Sequence, residues 1–264
     1  MAEACLCDMR AATPSPVMLQ CIPCALLAAL YYEENSLDMA EEYAQKAQEG
    51  LWALSIDSIV NVDILLMNIH LARGQTDKAR AWMDGIIKRQ PGLHAFEMRN
   101  AAARAELALR GGRYYEALAW AMAWRMSPAD QPNVGREAYY FTFLRALLFG
   151  RRLKEASELL SNLEASIQEG GRVGRLIPLL ILKSFYYFLE GIQAQAAETM
   201  GHALKLAAPQ GYVRPFLDEG PLAFTLLRRL PGRDDPFLSL LLTLFATDPA
   251  GVGGWTVYLT PQQI

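Results

Sequence analysis

The residues with the plainest chemistry are four cysteines near the start of the chain, Cys5, Cys7, Cys21 and Cys24. A C-x-C pair followed by a C-x-x-C pair offers enough thiolates for one tetrahedral zinc. Cys21 and Cys24, however, flank Pro23 at the apolar start of a helix, where a buried thiol behaves as a small hydrophobe. The expectation is reduced thiols in a reducing cytosol, and no metal. His70, His94 and His202 fall in different parts of the chain, and none has metal-ligand spacing to Cys, Asp or Glu. No nucleophile elbow is present, nor a G-x-x-x-x-G-K-[ST] loop that would cradle a phosphate. Asp218 and Glu219 are adjacent carboxylates, which in a turn are read as capping a helix or meeting a basic residue such as Arg214. The sequence therefore predicts no catalytic residue, no cofactor and no enzyme.

The elements that carry the remaining polar residues are repeats. The stretch LARGQTDKA, Leu71 to Ala79, has four degenerate copies that place anchor alanines at Ala40, Ala79, Ala117, Ala156 and Ala196, spaced 39, 38, 39 and 40 residues apart. Five residues before each anchor comes a turn position: Asn35, Gly74, Gly112, Arg151 and Gly191. Eight before come Tyr32, Leu71, Leu109, Leu148 and Phe188; four after come Ala44, Met83, Ala121, Leu160 and Met200. Fifteen before and seven after are also apolar in all five copies, so each side of the turn has one apolar helical face. A single helical pair cannot bury such a face alone, so the units must stack. The fold class expected is all-α: a solenoid of tetratricopeptide-like helical hairpins in a right-handed superhelix, with a short C-terminal helical cap.

Two columns break the apolar rule. Eleven positions before the anchors lie Ala29, Asn68, Glu106, Arg145 and Phe185; eighteen before lie Ile22, Asn61, Arg99, Ala138 and Pro178. First helices of stacked hairpins line the concave side, so Asn61, Asn68, Arg99, Glu106 and Arg145 are the candidate ligand-binding residues. Tyr139, Tyr140 and Phe185 are expected nearby, an arrangement suited to a small polar effector or a peptide. The competing reading is that these are ordinary exposed positions joined by salt bridges between repeats.

Composition narrows the class further. With 264 residues, 52% of them hydrophobic, the chain has enough material for a large core. A net charge of −3 disfavours a nucleic-acid surface, which needs a local excess of Lys and Arg. Val17 to Tyr32 contains Gln20 and Pro23 and follows Glu3 and Asp8 rather than a basic cluster, so it does not read as a signal peptide. Later apolar runs are too short to span a bilayer, and a cytoplasmic protein without membrane contact is expected.

In order, residues 1–16 read as a tail and 17–208 as five hairpins. Residues 209–246 read as a capping segment in which Gly211, Pro215, Gly220 and Pro221 interrupt helix, and 247–264 as a linker. Trp120 and Trp124 are read as core, and the first hairpin, poorly capped, as a surface for a homodimer.

The string GYVRPFLDEGPLAFTLLRRL, Gly211 to Leu230, and the L-A-x-G-x-x-x-x-A turns of the repeats resemble the large LuxR-type regulators similar to MalT. The resemblance runs from about Ala25 to Leu230. It implies a sensor region of tetratricopeptide-like hairpins set between an ATP-binding module and a DNA-binding helix-turn-helix. LTPQQI, Leu259 to Ile264, looks like the first residues of that DNA-binding domain, making residues 247–264 a linker toward it. The function implied is effector sensing or protein interaction in the concave groove, controlling DNA binding by the intact regulator, with no nucleic-acid contact by this segment. The alternative is a free-standing adaptor that binds a protein partner and has no role in transcription.

Overall fold

One left-handed residue ends the first helix of each hairpin, and it falls at the turn position marked by the spacing. The computed structural model describes residues 16–51, 56–89, 94–132, 134–232 and 234–247. In it Asn35, Gly74, Gly112, Arg151 and Gly191 have φ of 63°, 70°, 80°, 56° and 82°. Each donates its N–H to the carbonyl three residues back, and the next residue donates five back. At the second hairpin these bonds are Gly74 to Leu71, 2.9 Å, and Gln75 to His70, 2.8 Å. This paired closure satisfies two carbonyls that a helix end would leave orphaned.

Glycine takes such a φ without penalty, whereas a side chain there loses about 1–2 kcal/mol. A Cβ built on Gly191 would meet nothing within 4 Å. Gly191→Ala is therefore expected to lower the unfolding free energy by about 1 kcal/mol through the backbone alone, read by urea denaturation. An unchanged midpoint would mean that the turn relaxes out of the left-handed region.

Ten helices pair into five hairpins. These are α1 (Pro16–Glu33) with α2 (Leu37–Leu51), α3 (Ile56–Ala72) with α4 (Thr76–Arg89), and α5 (His94–Arg110) with α6 (Tyr114–Ala123). They continue with α7 (Glu137–Phe149) and α8 (Leu153–Glu169), then α9 (Val173–Leu189) and α10 (Gln193–Ala207). First helices of successive hairpins touch one another, α1 to α3, α3 to α5, α5 to α7 and α7 to α9, as in a solenoid. No strand occurs among the described residues. All five anchor alanines are fully buried. An alanine there lets the paired helices approach closely, because nothing larger than a methyl stands between them.

The core is uneven along the stack. Two small apolar clusters, bridged by a half-buried Trp82, fill the first two hairpins, and the second of them reaches Ala103 of α5. One continuous cluster then runs from Ala102 to Phe245 through hairpins three to five and into the cap. Trp120 belongs to it, and Trp124 packs against it. The break after hairpin three is pinned at Pro128, Asp130 and Pro132. Asn162 donates to the Pro128 carbonyl (2.9 Å), Ser166 to that of Pro132 (3.1 Å), and Tyr140 to Asp130 (2.6 Å).

The cap is more helical than its glycines and prolines imply. A 3-10 turn (Ala208–Gln210) leads to α11 (Arg214–Leu217), α12 (Gly220–Leu227) and α13 (Pro236–Thr247). Pro215 sits in the first turn of α11 and Pro221 in that of α12, where a missing N–H leaves no helical bond unmade. No helix of the described residues is long and apolar enough to cross a membrane.

Candidate functional site

The cap returns to the beginning of the chain. The Val213 N–H donates to the Glu33 carbonyl at 2.8 Å, and α11 packs on both α1 and α9. This docking brings the carboxylate pair Asp218 and Glu219, at the junction of α11 and α12, against the inner helices of the hairpins.

There they complete a run of alternating charges. Arg145 of α7 grips Glu219 with Nε at 2.9 and 3.1 Å from the two carboxylate oxygens, and with Nη2 as well. Arg145 also lies 3.7 Å from Glu106 of α5, which accepts from Thr142 at 3.2 Å. Arg110, one turn on from Glu106, is 3.7 Å from it and 3.6 Å from Asp218. Asp218 pairs with Arg214, and Arg214 donates to Asn35 at 3.0 Å in the first hairpin turn. The Tyr32 hydroxyl donates to Asp218 at 2.8 Å, with Arg214 over its ring at 5.4 Å. Three carboxylates and three guanidinium groups thus join hairpins one, three and four to the cap.

Burial sets the electrostatics. Arg214 and Glu219 are each 1% exposed. Burial pushes the Asp218 carboxyl up, but Arg214 and Arg110 overcome it and hold the group below the usual range. Glu219 goes the other way: burial outweighs the attraction of Arg145 and raises it. Burial works against the Arg145 cation, yet Glu219 and Glu106 more than offset it, so Arg145 stays firmly protonated. Glu33, at the seam, is pushed up to about 7 by burial and by Asp218, against the pull of Arg175 and Arg214.

The polar columns read from the sequence separate here. Glu106 and Arg145 come together inside the ion cluster. Arg99 lies on α5, where its Nε donates to Tyr139 at 3.0 Å. Asn68 lies on α3 with a buried Oδ1 that has no protein partner among the described residues. Asn61 is on α3, but its side chain lies outside the described residues. Two aromatic residues expected beside a groove are core instead. Tyr140 is 3% exposed, and Phe185 is fully buried on α9, which packs on α7, α8 and α10 as well as on α11 and α12. Pattern reasoning missed Tyr32 and Arg110 as members of the cluster, and Asp218 and Glu219 as partners of the groove column. The one available signal was the Asp218–Glu219 pair beside Arg214.

No metal-binding group of three His, Cys, Asp or Glu side chains occurs among the described residues. Cys21 is buried and Cys24 half-buried, while Cys5 and Cys7 lie outside the described residues. A family model described as the MalT-like TPR region matches residues 8–233. No curated protein gives a significant match.

Proposed function

The chain belongs to the family of MalT-like TPR regions, and from that premise we propose that it is the effector-sensing and protein-interaction segment of a LuxR/MalT-type transcriptional regulator. A small molecule or peptide binds on the inner face of the hairpins and changes how tightly the cap closes on them. In the intact regulator, that closure controls DNA binding from elsewhere in the protein. The observation that supports the reading is the ion cluster, because it makes closure depend on groups of the groove column itself. A ligand acts here only by binding one closure state better than the other. Moving the cap between mostly open and mostly closed takes about 5.5 kcal/mol of differential affinity.

Self-association and a cytoplasmic setting belong to the same proposal. Ile22, Leu26 and Leu30 of α1 are 51%, 63% and 47% exposed at helical spacing, an apolar stripe that suits a second copy.

The test is a thermal-shift screen against sugars, amino acids, nucleotides and short peptides, followed by small-angle scattering on any hit. The expected result is a ligand that raises the melting temperature, changes the radius of gyration, and loses its effect in Arg99→Ala. The scattering mass should report a dimer at high concentration, and a monomeric mass there would remove self-association. A flat screen together with capture of a defined protein partner would favour the adaptor instead.

A further inference from the structure

Beside the ion cluster, a pocket of about 410 Å³ opens between the first two hairpin turns and the C-terminal helix. Its polar wall is Asn35, Arg73, Gln75 and Arg214, and Leu37, Ala72 and Leu244 give it an apolar side. These residues come from hairpin one, hairpin two, α11 and α13, so the pocket exists only when the cap is docked.

Its charge has one sign. Both ionisable residues lining it are arginines, and no acid is among its described lining residues. Both arginines are already paired with carboxylates, Arg73 with Asp38 and Glu41, and Arg214 with Asp218. Helices α2 and α4 also begin at this wall, at Leu37 and just after Gln75, and their N-terminal N–H groups face it, although each first turn already carries an acid, Asp38 and Asp77. The Arg73–Asp38 bond is easily exchanged, since the Asp38 side chain is wholly exposed and such pairs contribute little. Arg214, by contrast, is buried and held in place by Asn35 and Asp218. An incoming anion can therefore take the place of Asp38 on Arg73 while Glu41 keeps hold of that guanidinium, and Arg214 is preorganised.

We infer that this pocket binds a small organic anion, a carboxylate or phosphate monoester with a compact apolar body. The anionic head meets Arg73, Gln75 and the two helix starts, and the apolar part lies against Leu37 and Leu244. The volume falls in the usual range for a small-molecule site. The inference rests on the sensor reading in one respect, that closure of the cap is what a ligand reports to.

The experiment is isothermal titration of the intact chain with phenyl phosphate, hexanoate and inorganic phosphate at constant ionic strength. One saturable site is expected for at least one organic probe, weakened tenfold or more in Arg73→Gln and abolished in Leu244→Trp, which fills the pocket. Tighter binding of phenyl phosphate than of hexanoate would assign a phosphate head, and the reverse a carboxylate. No saturable binding of either organic probe overturns the site, as does binding unchanged in both variants. Inorganic phosphate binding as tightly as phenyl phosphate overturns the apolar half. Small-angle scattering at a saturating concentration of the tightest probe should show a smaller radius of gyration, and an unchanged radius keeps the site and removes its link to closure. Absence of binding leaves the sensor reading to its own screen.

Discussion

Arg145→Ala is expected to lower the unfolding free energy by about 3–5 kcal/mol, the usual consequence of removing one partner of a buried ion pair. Glu219 would be left 1% exposed without the guanidinium that holds both of its oxygens, and Glu106 would lose its link to the cap. Against the ~5–15 kcal/mol that holds a typical domain together, this is a large fraction. The loss comes from the stranded carboxylate, so removing both charges should recover most of it. Arg145→Met combined with Glu219→Leu is expected within about 1–2 kcal/mol of the parent. Urea denaturation reads both, and the slope adds a second observable: if the cap detaches in Arg145→Ala before the repeats unfold, the apparent slope falls. A stability change of under about 1 kcal/mol in Arg145→Ala would mean that Glu219 reaches water, and that the cap does not seal the groove.

Glu33→Gln is expected to stabilise the chain by about 3 kcal/mol at pH 8 and to leave it unchanged near pH 4.5. The folded chain holds the Glu33 proton up to about 7 against an ordinary value of 4.5, so it binds that proton more tightly than the unfolded chain does. Stability from this group is fully present below about pH 4.5 and declines as the pH rises to about 7, each tenfold difference in proton affinity being worth about 1.4 kcal/mol. Glutamine carries no charge at any pH and removes the decline. Asp218 has the opposite sign: its lowered carboxyl gives stability that is lost only as the pH falls below its ordinary 3.8. The window between pH 4.5 and 8 therefore isolates Glu33, and raised Glu219 cancels because parent and variant share it. Thermal melts of both proteins across that window make the measurement. Curves that run parallel throughout would show that Glu33 is solvated in the folded chain.

How far the sequence reached depends on whether a contact repeats. Ala40, Ala79, Ala117, Ala156 and Ala196 are buried for one reason five times over, and the left-handed turns from Asn35 to Gly191 recur in step with them. Packing between neighbouring units sits at a fixed offset, so one strand of sequence displays it as columns. The exchange of Gly for Asn35 and Arg151 left the pattern readable, because the apolar columns on both sides persisted. The closing contacts happen once. Tyr32 meets Asp218 across 186 positions and Arg145 meets Glu219 across 74, and neither separation is a multiple of the repeat. A polar residue on the inner column looks the same in sequence whether it faces water or a buried carboxylate. Glu106 and Arg145 therefore read as groove residues, while Phe185 in the same column, fully buried, read as one that lies near it. The repeating sequence determined the hairpins, their turns and the shared apolar face. Only the tertiary structure, by bringing the cap back onto the first hairpin, decided which inner charges are paired and where a pocket remains.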